Sequence, residues 1–337
     1  MSNGKRTIAV DVMGGENAPY KNLKGVEIFS HNNTNVSFIL LGVKKKIEDV
    51  LNSQNIKIFN YEIQNTLDNI QNNDNASAIL RKRKDSSIYR GLKLVKDFKA
   101  SGFVSAGNTA ALMILSRSIL GMIDGIDRPA ICSIIPNKID HSIMLDLGAN
   151  STVVAKNLLQ FALMGYCYHS ILKPNNEPRI GIINIGTENN KGLEFLKEAA
   201  DLINDSFLKK NFIGFVEPNK ITSGICDIMV SDGYTGNIML KTAEGMSKFI
   251  TDNLKNVFMK SFKNKLAYKI LAFDLNIFKD QINPEKYNGA TLIGVNGISV
   301  KSHGNASPLA FSSAIQRCYE FIDNDINTKI RQNFDIL

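Results

Sequence analysis

Thr7-Ile-Ala-Val-Asp-Val-Met-Gly-Gly-Glu-Asn-Ala-Pro19 is an apolar run carrying one aspartate, cut off by Gly14-Gly15 and followed by a helical pattern. Such a run predicts a strand, a tight loop and a helix N-terminus, a combination suited to holding an anion. Asp11 lies within the strand, where an unpaired carboxylate is costly. It must find partners near the strand's end, and that makes it a site candidate.

The same unit recurs four more times. Residues 103–104 precede Ser105-Ala-Gly-Asn-Thr109, residues 143–147 precede Gly148-Ala-Asn150, residues 180–185 precede Gly186-Thr-Glu188, and residues 228–230 precede Ser231-Asp-Gly-Tyr-Thr-Gly-Asn237. Strands alternating with amphipathic helices imply an α/β fold with a mostly parallel sheet covered on both faces. Ligands bind at the carboxyl ends of such strands, so all five loops are expected on one rim. No Gly-Ser-Pro linker divides the chain, which favours a single doubly wound domain over residues 1–337.

Residues 246–288 break the rhythm with a helical excursion. Met246, Phe249, Ile250, Leu254, Val257, Phe258, Phe262, Leu266 and Ile270 recur every three or four positions. Between Asn253 and Phe273 stand five lysines, Lys255, Lys260, Lys263, Lys265 and Lys269, and no acidic residue. An apolar stripe beside a lysine face suits a membrane surface or an acidic partner, and equally an ordinary core-facing helix with a solvated basic side.

Hydrophobic residues at 44% and charged residues at 21% are values of a globular chain, and no run approaches the roughly 20 apolar residues that span a bilayer. The N-terminus enters the first strand without an apolar leader, so a cytoplasmic location is expected. The four cysteines lie far apart with no Cys-x-x-Cys pair and are expected as buried thiols. No histidine cluster supports a transition-metal site. The net charge of +8 suits an acidic partner: nucleic acid, anionic lipid or an acidic protein. No aromatic-rich RNA signature accompanies the lysines. Gly-x-x-x-x-Gly-Lys-[Ser/Thr], Gly-x-Gly-x-x-Gly and Gly-x-Ser-x-Gly are all missing, which counts against P-loop, dinucleotide and serine-acylation chemistry.

Ser86-Ser87 should cap a helix starting near Ile88, after the basic run Arg81-Lys-Arg-Lys84. Asn108, Asn150 and Asn237 each stand at a strand-to-helix junction, where an amide can hold a phosphate oxygen or a carbonyl, or simply cap the helix. Thr187-Glu188, Asp232 and Asp11 supply carboxylates, one of which can be raised in pKa if two lie close. Lys191 and Lys241 are candidate phosphate or leaving-group partners or plain surface lysines. His303, in Val300-Lys-Ser-His-Gly-Asn-Ala-Ser307, is a candidate proton donor or a hydrogen-bonded structural histidine.

Six ordered segments carry a family resemblance: Ile8 to Pro19, Ser105-Ala-Gly-Asn-Thr-Ala-Ala-Leu-Met113, Arg128-Pro-Ala130, Leu145-Asp-Leu-Gly-Ala-Asn150, Ile183-Asn-Ile-Gly-Thr-Glu188 with Lys191-Gly192, and Ser231 to Asn237 with Leu240-Lys-Thr242. Over nearly its whole length the chain resembles the phosphate acyltransferases of bacterial phospholipid synthesis. Glu16 stands where that family usually has Asp and Ala110 where Gly is usual. Asn288-Gly-Ala-Thr-Leu-Ile-Gly294 replaces a Gly-Gly-Ala-Pro-Leu-Leu-Gly segment, with Thr291 expected to loosen a turn.

The resemblance implies transfer of a long fatty acyl group from acyl carrier protein to inorganic phosphate, giving acyl phosphate for a glycerol-3-phosphate acyltransferase. It implies no cofactor and no metal. The implied fold is the three-layer α/β/α sandwich of the isocitrate and isopropylmalate dehydrogenases and of phosphotransacetylase. It further implies a homodimer and peripheral membrane contact, with Lys255, Phe258, Phe262, Lys263, Lys265 and Lys269 meeting lipid, carrier protein or both. On this basis Asn108, Thr109, Asn150 and the Gly186-Thr187 amides are expected to hold phosphate and oxyanion. Gly14, Gly15, Gly107, Glu188, Gly233 and Gly236 would line the same space, Asp11 and Asp232 would orient its groups, Asn237 would take part in catalysis, and Lys191, Lys241 or His303 would assist departure of the thiolate. The rivals are a short-chain phosphotransacetylase acting on acyl-CoA, a metal-dependent β-decarboxylating dehydrogenase, and a basic nucleic-acid-binding or scaffold protein.

Overall fold

In the computed structural model the opening segment forms β1 (Arg6–Asp11) and α1 (Tyr20–Asn32), joined by the glycine loop. The structure describes residues 6–67, 70, 76–281 and 287–337; the first five residues, part of the asparagine-rich segment and residues 282–286 of the expected helical excursion lie outside that description. The alternation continues with β2 (Val36–Gly42), α2 (Lys44–Ser53), β3 (Tyr61–Asn65), α3 (Ala76–Lys82), α4 (Ser87–Lys96), β4 (Gly102–Ser105) and α5 (Thr109–Leu120). A hairpin of β5 (Ala130–Pro136) and β6 (His141–Leu145) follows, then α6 (Ala155–Leu172), β7 (Ile180–Ile183), α7 (Glu194–Asn204), β8 (Phe212–Val216) and β9 (Ile228–Val230). Three helices come next, α8 (Gly233–Met259), α9 (Phe262–Ile270) and α10 (Ala272–Gln281). The chain ends with β10 (Ala290–Ile293), β11 (Ser299–Lys301), α11 (Pro308–Asp323) and α12 (Ile326–Phe334).

The described strands form one sheet in the order β3-β2-β1-β4-β11-β10-β5-β6-β9-β7-β8. The expected α/β architecture is present, with helices on both faces. Ile8, Val10 and Val12 pack with Leu23 and Val26 of α1 and Phe311 of α11. Ala9, on the other face of β1, packs with Leu92 of α4 and Leu112 and Leu115 of α5. This alternation by two along β1 is what a strand buried on both faces requires. The second half of the sheet is less evenly covered. Ile143, Ile180 and Ile228 face the large cluster that includes Leu158 and Phe161 of α6, whereas Met144, Ile183 and Met229 meet a small cluster to which α8 contributes Met239.

The five polar loops do not share one rim. β1, β2, β3, β4 and β11 run parallel, but β10 is antiparallel to both β11 and β5, and β5 is antiparallel to β6. β6, β9, β7 and β8 are parallel to one another, so they run opposite to β1 and β4. The loops after β1 and β4 therefore leave one edge of the sheet and those after β6, β7 and β9 leave the opposite edge. The reversal depends on the β5–β6 hairpin, whose turn Asn137 closes by accepting the N–H groups of Ile139 and Asp140, both at 2.8 Å.

The helical excursion begins earlier than its hydrophobic pattern suggested. Asp232 caps α8, which runs for 27 residues, and its buried residues Gly233, Gly236 and Met239 all lie in its first two turns. Beyond them α8 leaves the sheet, and no residue of α9 is buried. Phe262 is 83% exposed, and Phe249, Ile250, Ile270 and Phe273 are exposed as well. Phe258 differs from these, because its ring packs edge-on against Tyr268 of α9 with centroids 5.5 Å apart and so ties α8 to α9. Among the described residues no helix is long and apolar enough to cross a membrane. Thr291 does not sit in a turn: it is buried inside β10, paired with Cys132 on one side and Val300 on the other. All four cysteines are buried free thiols, as expected.

Candidate active site

Asp11 ends β1 in full burial and finds the partners its position demands. Its carboxylate accepts the Ser105 hydroxyl at 2.7 Å and the Met13 N–H at 3.0 Å. Burial raises its pKa, and the Ser105 and Ser87 hydroxyls, with the Met13 and Gly14 amides, pull it back. Ser105 in turn accepts the Gly107 N–H at 2.9 Å, so one hydroxyl joins the β1 and β4 loops. Asn22 of α1 donates to the carbonyls of Val12 and Gly14 and holds the glycine turn from below. Gly15 has φ +82°, and a Cβ there would lie 2.6 Å from the Gly304 carbonyl. That carbonyl accepts the Glu16 N–H at 2.7 Å and the Lys21 ammonium, so the loop after β11 is clasped onto the loop after β1.

Two lysines enter this edge without a counter-ion. Lys21 is only 4% exposed, and Lys301, the last residue of β11, stands in register beside Ser105, which stands beside Asp11. Among the described residues no carboxylate lies at ion-pair distance from either ammonium. Burial lowers the Lys21 pKa, with Glu16 opposing. Burial pushes Lys301 down to about 8; Asp11 opposes this shift, and Lys21 and Lys241 add to it. Asn288 shapes the same loop by donating to Ser302 Oγ and the Ala310 carbonyl, both at 2.7 Å, and accepting the His303 N–H at 3.1 Å. An open cavity of about 610 Å³ adjoins Lys21, between Tyr20 of α1 and Ser307-Pro308 at the start of α11.

α8 joins the two edges of the sheet. Asn237, Lys241 and Glu244 are spaced by four and three residues and share one helical face. Lys241 pairs with Glu244 at 2.7 Å, and Glu244 lies 3.9 Å from His303 Nε2. The surrounding protein lowers the His303 pKa, with Glu244 opposing and Lys301 and Lys241 reinforcing the shift. From its cap at Asp232, α8 thus carries this face some 18 Å, at about 1.5 Å per residue, to the Lys301–His303 loop.

Asp146 is the hub of the opposite edge. Its carboxylate accepts the N–H groups of Ile131 (3.0 Å), Gly148 (3.1 Å), Ala149 (2.9 Å) and Asn150 (2.7 Å), and the Asn150 side-chain amide at 2.8 Å. Burial raises its pKa, and these donors act against the rise. Gly236 lets the first turn of α8 touch the Asp146 carbonyl, a contact that any Cβ would prevent. Asp232 accepts the Thr235 N–H at 2.8 Å and its hydroxyl at 2.6 Å, a complete N-cap.

Of the expected site residues, Asp11, Gly14, Gly15, Gly107, Asn108, Thr109 and His303 belong to the first edge. Lys241 is brought there by α8, whereas Asn237, one turn behind it and exposed, stands beside Gly148 of the second edge. Asn108 caps α5 by accepting the Ala111 N–H at 2.8 Å, and Thr109 is exposed at the helix start. Asn150, Asp232, Gly233 and Gly236 lie at the second edge, and the amide nitrogen of buried Asn150 is already given to the Pro129 carbonyl and Asp146. Gly186, Thr187, Glu188 and Lys191 follow β7 and so belong to the second edge too. There Lys191 binds Glu188 at 2.8 Å on the surface, an ion pair that raises the Lys191 pKa and lowers that of Glu188.

Sequence reasoning missed Lys21, Asn22, Ser105 as an Asp11 partner, Asp146, Glu244 and Lys301. Two of these carried a signal. Leu145-Asp-Leu-Gly148 repeats the strand-end pattern of Val10-Asp-Val-Met-Gly14, and Lys301 is two residues from His303. Lys21 carried none, since a helical lysine looks like a surface lysine. Among the described residues no group of three or more His, Cys, Asp or Glu side chains is placed to hold a metal ion.

Comparison with known proteins bears on the family and the fold. The family model described as fatty acid synthesis protein matches residues 6–329. A phosphate acyltransferase of Clostridium tetani is 40% identical over 325 residues, covering 96% of this chain and 97% of the relative. That of Paramagnetospirillum magneticum is 38% identical over 331 residues, covering 98% and 94%. Among solved structures, a phosphotransacetylase from Streptococcus pyogenes superposes with TM-score 0.59 at 16% identity, covering 98% of this chain and 95% of that one. A branched-chain phosphotransacylase from Enterococcus faecalis gives 0.56 at 12%, covering 94% and 99%. These two likenesses speak for the fold. With the family model spanning nearly the whole chain and relatives of such length and identity, the chain belongs to the fatty acid synthesis protein family, among its phosphate acyltransferases.

Proposed function

We propose that the chain transfers a long-chain fatty acyl group from acyl carrier protein to inorganic phosphate, releasing acyl phosphate and the carrier thiol. The observation that carries this is the edge after β1 and β11, where Lys21 is buried with no carboxylate at ion-pair distance among the described residues and α8 brings Lys241 near, its neighbour Glu244 lying 3.9 Å from His303. A buried ammonium without a counter-ion is costly unless an anion completes it. Phosphate attack on a thioester needs that anion held, an oxyanion donor, and room for the thiol to leave. It needs no covalent nucleophile.

In this mechanism Lys21 and Lys241 hold phosphate beside the β1 loop. The N–H groups at the start of α5 near Asn108 and Thr109 serve the oxyanion, and Asn237, exposed beside Gly148 one turn before Lys241, takes part from the α8 side. Asp11 organises the loops through Ser105 and is no nucleophile, since its carboxylate is buried and already hydrogen-bonded. Asp232 sets the angle of α8. The acyl phosphate then passes to a glycerol-3-phosphate acyltransferase.

The apolar and lysine-bearing faces of α8 to α10 support peripheral contact with a membrane or with acidic carrier protein, and pairing of two chains. Phe262, Lys263, Lys265 and Lys269 are the contact residues, with Lys255 beside them. Phe258 supports the helix pair from within.

Purified protein given palmitoyl carrier protein should release thiol and form acyl phosphate only when phosphate is present. Thiol release independent of phosphate would overturn the proposal. Equal use of acetyl-CoA would favour the short-chain phosphotransacetylase, which the fold of the structural neighbours also accommodates.

A further inference from the structure

We propose that Lys301 is the acid that protonates the departing thiolate, an assignment that rests on the acyl-transfer function above. Its position singles it out among the cations of the cleft. Lys191 is on the opposite edge, paired with Glu188. Lys241 is tied to Glu244 at 2.7 Å, and His303, whose side chain is exposed, lies 3.9 Å from the same carboxylate. Lys301 ends the central strand β11, in register with Ser105 and through it with Asp11, and it has no carboxylate at ion-pair distance among the described residues. The charged groups that act on it are Asp11 from β1, Lys21 from α1 and Lys241 from α8, and it acts in turn on His303 of its own loop. Its ammonium donates to the Ser302 carbonyl.

The chemistry balances. A phosphate oxygen forms the new bond to the acyl carbon, the C–S bond breaks, and its electron pair goes to sulfur. Sulfur takes a proton from the Lys301 ammonium, giving the free thiol, and the neutral amine is reprotonated from solvent. With Lys301 near 8, donor and leaving thiol, whose ordinary pKa is about 8.5, are closely matched, the condition for efficient acid catalysis.

Two thioesters test this. Palmitoyl carrier protein must expel an alkyl thiolate, whereas S-phenyl thiopalmitate expels a thiophenolate that leaves without a proton. Lys301→Arg keeps the charge but cannot give up its proton near neutral pH. It should lower kcat roughly 100-fold or more on palmitoyl carrier protein and only a few-fold, about threefold, on the phenyl ester, with the phosphate KM kept. In the unaltered protein kcat should fall as pH rises through about 8 on the carrier substrate, and Lys301→Arg should abolish that limb. Lys301→Met, which removes a buried charge without adding bulk, should show the same split between substrates if the arginine variant fails to fold. Equal loss on both thioesters, or a raised phosphate KM with kcat retained, would make Lys301 a phosphate ligand or a structural residue and overturn the proposal. If the unaltered protein releases thiol from neither ester in phosphate, acyl transfer itself falls first.

Discussion

Asp11 and Asp146 stand in the same local setting, each at the end of a buried strand and just before a glycine, yet they serve different ends. Asp146 is surrounded by five N–H donors and packs against the first turn of α8. Asp11 has hydroxyl partners as well as amides, and its neighbours include Lys301. A carboxylate saturated by backbone amides fixes a loop. One held by hydroxyls beside cations lacking carboxylate partners can also shape an electrostatic site.

Asparagine at both positions should separate them most sharply. Asp146→Asn turns an NH₂ toward at least two N–H donors and should cost roughly 2–6 kcal/mol of stability by urea denaturation, at about 1–3 kcal/mol for each donor left unpaired. Asp11→Asn keeps an acceptor for the Met13 N–H and lets the Ser105 hydroxyl rotate, so stability should change by no more than about 1 kcal/mol while turnover falls. Similar stability losses at both sites would erase the distinction.

The two asparagines sharpen it further. Asn150→Ala removes a buried amide that donates to Pro129 and Asp146 and should destabilise by about 1–3 kcal/mol. Asn237→Ala, exposed on α8, should lower turnover about tenfold or more with stability unchanged within roughly 0.5 kcal/mol. Near-normal turnover would remove Asn237 from the site.

The first edge should also show a pH signature. Lys301 has an unfolded pKa of 10.5 and a folded pKa of about 8, so between those values the folded state binds fewer protons. The penalty for burying the ammonium is fully present below about 8 and is relieved as pH rises toward 10.5. The denaturation free energy of the unaltered protein should therefore rise across this window relative to Lys301→Met. A flat difference would mean that the ammonium is solvated in the folded chain.

The smallest effect on stability belongs to the excursion. Phe262→Ser should leave unfolding within about 0.5 kcal/mol of the parent and weaken binding to anionic phospholipid vesicles. Phe258→Ser should instead loosen α8 from α9 by removing the contact with Tyr268. Vesicle binding unchanged by Phe262→Ser would argue against insertion of this face.

Much of the architecture was legible because its signals are local. The strand from 228 to 230, the Ser86 cap and the helix after Gly14-Gly15 follow from hydrophobic period, side-chain capping and glycine, and each appears where it was expected. The need of Asp11 for partners was legible too. Its partners were not, since Ser105 is 94 residues away. Lys301 went unnoticed for a similar reason: nothing in its own loop announces that Asp11, Lys21 and Lys241 converge on it.

The amino-acid sequence by itself determined the alternating α/β units, the polar loops at strand ends, the lysine-rich helical excursion and the family. Only the tertiary structure decided that the sheet reverses at β10 and the β5–β6 hairpin, dividing five similar loops between opposite edges. It also decided that α8 brings Lys241 and Glu244 back to the first edge, and that Lys21 is buried against a carbonyl 283 positions along the chain. Strand direction and side-chain convergence depend on sheet order, and sheet order is set by pairing between distant segments, which no local period or motif encodes.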